Sequence, residues 1–388
     1  MDCTSQINDI PSISVIMPCY NRSFDLVHVL EAYDRQDSQL PFEIIAVDDA
    51  SSDNTLDILN SYKPEKYKLK VSSFSVNQGP AAARNRAIQE TEAPLILFVG
   101  DDVRPGKTFI SGHIAAHTQK PDSKISILGR TIWAADIPQN SLMAHIDGIG
   151  AQQFSYYYLR SGNVYDYRHL YTSNISIKTA FLKSMDHWFD TDFEYAAFED
   201  VELAYRMAKK GLRIVYDATI EAEHYHYHTI WSFATRQYRS GVMARVLIRK
   251  HPWVLTKLIQ PKLLKYIPTL FLAVVCRKCL KHKEGALSDH LEDLALHIAS
   301  YFEWSTSSFL DRYYQHILRY FYNKGIVSGF IVEEHTKKRV QNLYAHFVLR
   351  PILMWFYQET VVENDILPVE YRLAIERLPD YPYNPVLA

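Results

Sequence analysis

The residues with the clearest chemical potential are two pairs of adjacent acids, Asp48-Asp49 and Asp101-Asp102, each following a short apolar run. Neighbouring carboxylates repel one another and stay ionised together only when something positive sits between or beside them. A divalent cation carrying a nucleotide diphosphate meets that need, because hard cations such as Mg²⁺ take oxygen ligands. The run Leu95-Ile96-Leu97-Phe98-Val99, entered from Pro94 and left through Gly100 into the second pair, reads as a buried parallel strand. Open α/β sheets bind ligands in the crevice outside the carboxyl ends of such strands. Asp also favours turns in its own right, so the pairs define a site only through the elements that hold them.

Those elements alternate. Residues 13–17 are a predicted strand stopped by Pro18, and Asn21 or Ser23 is placed to cap a helix carrying Leu26, Val29, Leu30 and Tyr33 at helical spacing. Residues 42–47 form a second strand, after which Ser52 or Asp53 caps a helix through Leu56 and Leu59. A third strand covers 69–74, Asn77-Gln78-Gly79-Pro80 turns the chain, and 81–90 is a helix of strong formers. Strand–helix alternation with short links predicts a parallel, doubly wound sheet with its polar strand ends on one edge. Beyond Asp102, 109–117 reads as helix and 125–132 as strand. Residues 133–171 read as an irregular, aromatic-lined insertion or a long packed loop. A strand at 172–177, a short helix at 181–185, a helix opened by Phe198-Glu199-Asp200 and closed by Gly211, and a strand at 212–216 precede His224-Tyr225-His226-Tyr227-His228. From Ile230 the pattern is helical; Leu287, Leu291, Leu294, Ile298 and Phe302 mark one amphipathic helix, and Phe309, Tyr313, Ile317 and Phe321 another, stopped by Gly325. The expected organisation is a polar tail over 1–10, an α/β domain over 11–250 and a helical domain over 251–388.

Composition bounds the function classes. The 388 residues are ample for a sizeable core. With 42 Lys and Arg against 44 Asp and Glu, the chain has no charge excess for general nucleic-acid binding. Cys3, Cys19, Cys276 and Cys279 are too scattered for a disulfide framework and fit a reducing compartment. Cys276-x-x-Cys279 has metal or redox spacing but no second pair beside it. The first eleven residues are unlike a signal peptide, and no apolar run approaches the ~20 residues that span a bilayer. The expected location is cytoplasmic.

Val15-Ile16-Met17-Pro18-Cys19-Tyr20-Asn21-Arg22, Val47-Asp48-Asp49-Ala50-Ser51-Ser52-Asp53-Asn54-Thr55, and Asn77-Gln78-Gly79 through Ala83-Arg84-Asn85 resemble the family 2 (GT-A fold) glycosyltransferases. Gly100-Asp101-Asp102, the Glu199-Asp200-Val201-Glu202-Leu203 helix start with Arg206, and His224 continue the resemblance in the family's order over roughly 12–250. It implies a nucleotide-diphospho-sugar transferase domain, α/β with a Rossmann-like mixed sheet, followed here by an all-helical C-terminal domain. It also implies inverting, metal-dependent transfer of a sugar from a UDP- or dTDP-linked donor, with Mn²⁺ or Mg²⁺, to a glycan or lipid-linked saccharide, as in cell-envelope polysaccharide assembly. By this resemblance Pro18, Tyr20 and Asn21 form the base-side turn, with Tyr20 stacking on the base. Asp49 accepts the base N–H, and Asp48 either does so in its place or holds the ribose; Asp101 serves the ribose or the ion's water shell; Asn77 and Gly79 complete the donor site. Arg84 pairs with the diphosphate. Asp102 and His224 are the metal ligands, with His226 and His228 as further candidates, a mixed N/O set that leans toward Mn²⁺. Asp200 is the base that takes the acceptor proton, with Glu199 as fallback, both at a helix N-terminus that favours the ionised form. Gly100 stands where the family's commonest form carries the first acid of its DxD element.

Two features limit the reading. Arg236-Gln237-Tyr238-Arg239-Ser240-Gly241 does not match the Gln-x-x-Arg-Trp of processive members, so a non-processive enzyme is expected. Residues 257–283 set an apolar stretch beside Arg277, Lys278, Lys281 and Lys283. This fits a helix lying on an anionic membrane surface, at its inner face, and equally a core helix with a solvated end. Trp355, Phe356 and Tyr357 suit domain packing or an oligomer interface. The alternative of another class is a catalytically silent nucleotide-sugar or glycan-binding module. Sugar nucleotidyltransferases share the architecture, but Pro18-Cys19-Tyr20-Asn21-Arg22 lacks the glycines of their first loop.

Overall fold

The computed structural model describes residues 10–149, 153–154, 156–254, 287–305, 309–328, 345, 348–356 and 368–376. The stretch at 257–283 read as a membrane-surface or core helix, with Cys276 and Cys279, and nearly all of the polar tail lie outside them. The chain divides into an α/β unit, residues 1–139 and 151–227, and a helical unit, residues 140–150 and 228–388.

In the α/β unit β1 (Ile13–Cys19), α1 (Leu26–Asp34), β2 (Phe42–Asp48), α2 (Thr55–Ser61), β3 (Lys68–Ser73), α3 (Gly79–Glu90) and β4 (Leu95–Val99) follow one another as the alternation predicts. β5 (Val103–Pro105), α4 (Phe109–Gln119) and β6 (Ile125–Trp133) come next; α5 (Ser141–Asp147) belongs to the helical unit. The chain returns through β7 (Val164–Tyr165), β8 (Asn174–Lys178), α6 (Thr179–Lys183), α7 (Glu199–Lys209) and β9 (Arg213–His224). The nine-stranded sheet has the order β3-β2-β1-β4-β8-β6-β9-β5, with β7 paired to β9.

The sheet is mixed, as the family resemblance implies, and not parallel throughout as the alternation alone predicts. β3, β2, β1 and β4 are parallel, and β8 runs antiparallel between β4 and β6. No crossover helix carries the chain back to the other edge before β8, so β8 starts at the edge where β6 ends. Both faces are buried, which explains the continuous apolar runs. Side-chain alternation sends Ile16, Ile96 and Phe98 into one core and Val15, Met17, Leu97 and Val99 into the other. Pro18 does not stop β1: beyond Ile16 the strand pairs only with β2, and a residue without an N–H is tolerated there. The 133–171 insertion is packed, with Tyr156, Leu170 and Tyr171 inside one core.

The capping expectations at the site edge are corrected. α1 starts after Asp25 and α2 after Asn54, neither with a side-chain cap. Asn21 and Ser23 instead latch the loop after β1 to the loop after β2: Asn21 Oδ1 accepts from Ser52 N at 2.8 Å, and Ser23 N donates to Asp53 Oδ2 at 3.0 Å. Gly211 closes α7 with φ +98°, as expected of a C-cap glycine.

The helical unit contains α5, α8 (Ile230–Lys250), α9 (Leu287–Tyr301), α10 (Phe309–Ser328) and α11 (Val369–Glu376). It begins at 228 and not at 251 because α8 packs along α10. Gly325 does not stop its helix. A Cβ there would lie 2.0 Å from Tyr238 O, and one on Gly241 1.9 Å from Tyr322 O, so paired glycines let the two backbones touch. Leu353 and Phe356 are fully buried, Phe356 against Tyr313 and Phe302, and so serve this unit's own core. Among the described residues no helix is long and apolar enough to cross a membrane.

Candidate active site

Because β2, β1 and β4 are adjacent and parallel, their carboxyl ends bring Asp48-Asp49, Tyr20-Asn21-Arg22 and Asp101-Asp102 to one edge. The central contact is between β1 and β4. Asp101 Oδ2 accepts from Tyr20 N at 3.0 Å, and Arg22 bridges both acids, Nε 3.3 Å from Asp101 Oδ1 and Nη2 donating to Asp102 Oδ2 at 3.2 Å. β9 extends past its expected end to His224, so that His224 Nε2 lies 3.2 Å and His226 Nδ1 3.1 Å from the same Asp102 oxygen. Trp133 stacks on the His224 ring at 5.3 Å and fixes its plane.

The two acids separate electrostatically. Burial raises the pKa of Asp101, with the Asp102 charge adding to it and Arg22 opposing. Burial acts against ionised Asp102 too, but His224, His226 and Arg22 outweigh it and hold Asp102 well below the usual carboxylate range. Asp102, His224 and His226 offer one ligand atom each within 4.8 Å of one another, a carboxylate and two imidazoles that fit a divalent cation of Mn²⁺ type.

Asp48 and Asp49 differ in availability. Both Asp49 oxygens already accept backbone N–H groups, from Gln78 at 2.7 Å and Gly79 at 2.8 Å, and Asn77 Nδ2 donates to Asp49 O at 3.2 Å. Asp49 therefore pins the turn into α3. Asp48 Oδ2 accepts from Ser51 N, while its buried Oδ1 has no partner. Gly79 has φ +84°, and a Cβ there would lie 3.2 Å from Glu194 O, so the turn needs glycine for its conformation and for its neighbour.

Arg84 lies about one and a half turns along α3, roughly 7–8 Å from Gly79 by helical rise. The expectation that it pairs with a diphosphate is not met: it is buried and donates to Glu199 Oε1 at 2.8 Å. Glu199 is thereby bound to a cation, which removes it as a fallback base. Asp200, partly exposed on the first turn of α7, accepts from Val201 N on Oδ1. Burial raises its pKa to about 7, Glu199 adds to the rise, and Arg84 opposes it. Among the described residues three non-glycines adopt left-handed backbone angles, Asn21, Ala50 and Phe198, and each adjoins a candidate residue: Tyr20, Asp49 and Glu199. Such outliers cost of order 1–3 kcal/mol each and cluster where a fold holds side chains for function.

Arg22 is not among the residues expected from sequence, and His226 is there only a further candidate; His228 belongs to the helical unit. The signal for Arg22 is present in the order of strands, since a residue two past Tyr20 must face the neighbouring strand's acids.

Known proteins similar to this chain are glycosyltransferases. Residues 14–174 match the family model described as Glycosyl transferase family 2. Over that stretch the α/β unit is similar to family 2 glycosyltransferases. A validoxylamine A glucosyltransferase from Streptomyces hygroscopicus subsp. jinggangensis is 27% identical over 283 residues, covering 64% of this chain and 63% of the relative. The poly(ribitol-phosphate) beta-N-acetylglucosaminyltransferase TarS of Staphylococcus aureus is 40% identical over 91 residues, 23% of this chain and 16% of the relative. A crystal structure of S. aureus TarS covers 82% of this chain and 55% of that one, at 21% identity and a TM-score of 0.45. The chain thus spans less than two thirds of the length of these relatives.

Proposed function

We propose that the protein transfers a hexosyl group, with inversion, from a UDP- or dTDP-sugar to a hydroxyl of a glycan or lipid-linked saccharide, one residue at a time. The observation that carries this reading is the gathering of Asp48, Arg22, Asp102, His224 and His226 at adjacent strand ends, with Asp200 on the helix tied to α3. The relatives' names, glucosyl- and N-acetylglucosaminyltransferases, support a hexosyl donor.

In this reading the half-exposed Tyr20 ring lies under the base, and the orphaned Asp48 Oδ1 accepts its N–H, which suits uracil or thymine. Arg22, not Arg84, donates to the diphosphate. Asp102, His224 and His226 would hold Mn²⁺ or Mg²⁺, which when bound supplies positive charge to the leaving diphosphate. Asp200 accepts the proton of the acceptor hydroxyl as its oxygen bonds to the anomeric carbon and the bond to the diphosphate oxygen breaks. One base and, among the described residues, no second positioned nucleophile make a single displacement, hence inversion. A pKa near 7 suits a base working near neutral pH.

The test is release of nucleotide from UDP-, dTDP- and GDP-sugars with Mn²⁺, by the wild type and by Asp200→Asn. The variant is expected to bind UDP with Mn²⁺ within a few-fold of wild type while turnover falls by about 10²–10⁴. Undiminished turnover rejects Asp200 as base, and no release from any donor favours the silent binding module.

A further inference from the structure

Asn174 is buried and lies opposite Val99, three residues before Asp102. Its side chain leaves β8 and reaches the junction of β6 and β9. There the register jumps: Leu128 pairs with Tyr216 but Arg130 with Glu221, so Gly129 alone faces residues 217–220. Carbonyls freed by such a bulge must find donors or stay unsatisfied in the core. The Asn174 amide supplies both, Nδ2 donating to Arg130 O at 3.0 Å and to Ile220 O at 3.1 Å. A Cβ on Gly129 would lie 2.4 Å from that nitrogen and from Ile220 O, so glycine leaves room for the amide. Past the bulge, β9 runs four residues to His224, which pairs with Trp133 on one side and Val103 on the other.

Two carbonyls that can only accept set the direction of the amide, and a buried chain agrees with it. Lys178 Nζ, which can only donate, meets His117 Nδ1 at 3.0 Å. His117 Nε2–H then donates to Ser176 Oγ at 2.9 Å, Ser176 to His113 Nδ1 at 2.8 Å, and His113 Nε2–H to Asn174 Oδ1 at 2.9 Å. Burial keeps both rings neutral, lowering His113 to about 4 and His117 to about 3, as one proton per ring requires. With Oδ1 occupied as acceptor, the Asn174 NH₂ has to face the bulge.

From this geometry we infer that Asn174 is a positioning residue for the cation site: by stitching the β6–β9 bulge it sets the register that brings His224 to Asp102. The inference rests on the cation reading proposed above. The substitution Asn174→Asp would remove both donors and set a carboxylate against two carbonyls, whereas Ser176 belongs to the same buried chain but touches neither bulge carbonyl.

Mn²⁺ binding to the full chain, without nucleotide, is to be followed by the electron paramagnetic resonance signal of the free ion for wild type, Asn174→Asp, Asn174→Ser and Ser176→Ala, with melting temperature measured in parallel. All three variants are expected to melt lower. The two Asn174 variants should bind Mn²⁺ at least tenfold more weakly, and Ser176→Ala within twofold of wild type. Asn174→Ser, which removes the amide without adding charge, decides the matter if Asn174→Asp does not fold. Wild-type affinity in the Asn174 variants, or an equal loss in Ser176→Ala, overturns the inference alone. A wild type that takes up no Mn²⁺ overturns the cation reading and the inference with it.

Discussion

Two carboxylates with raised pKa values sit at this site for different reasons, and the difference assigns their work. Asp101 is buried beside a fully ionised neighbour and shares Arg22 with it, so its proton is a consequence of the pair. Asp200 is raised by burial and by Glu199, yet meets no cation of its own, because Arg84 donates to Glu199. A base must be ionised to act, so kcat/KM is expected to rise with pH through a limb near 7, a limb that Asp200→Asn removes. The same shift has a stability consequence. The folded pKa lies above the unfolded one, so the native state holds an extra proton between about pH 4 and 7, and the favourable contribution is lost as pH rises through 7. Asp200→Asn should therefore melt higher at pH 8, by about 2–4 °C for a gain of roughly 1 kcal/mol, and by less at pH 5. Arg22→Ala removes a charged donor worth roughly 1.5–3 kcal/mol, and calorimetry should show UDP bound about 10- to 100-fold more weakly, whereas Arg84→Ala should act mainly on stability. An Arg84 variant that binds UDP as weakly as Arg22→Ala would restore Arg84 to the diphosphate.

At the scale of elements, the strands and their ends were readable in the sequence because burial on both faces leaves continuous apolar runs, as in β2 and β4. What escaped reading depends on contacts far apart in sequence. The antiparallel course of β8 follows from where the insertion returns the chain, and the length of β9 from a bulge whose support, Asn174, lies 46 residues before Ile220. Gly325 looked like a helix stop since glycine commonly ends helices. Its reason instead lies in α8, where Gly241 offers the matching gap. Gly241→Ala is thus expected to destabilise the helical unit by about 1–3 kcal/mol, as overpacking does, and to lower its melting transition while Mn²⁺ binding by the α/β unit is kept. An unchanged melting curve would mean that the helices need no such close approach. Asp48 and Asp49 show the same limit at smaller size: adjacent and identical in type, they are told apart only by Gln78 and Gly79, whose N–H groups occupy one and leave the other.

Over the whole molecule, a chain of formal net charge -2 brings Arg22, His224 and His226 together on one Asp102 oxygen at a single strand edge. That local convergence, and not overall charge, is what suits a nucleotide diphosphate. The helical unit holds its own buried polar pairs, such as Lys324 on Glu292 at 2.6 Å with Tyr320 donating to the same carboxylate, which marks it as a folded body with its own core. The most direct test of the account is isothermal titration of UDP into the full chain with and without Mn²⁺, for wild type and Asp102→Ala. The account predicts binding that strengthens at least tenfold with Mn²⁺ in the wild type and loses that dependence in Asp102→Ala. UDP binding that ignores Mn²⁺ in the wild type, or keeps its full Mn²⁺ dependence without Asp102, would contradict it.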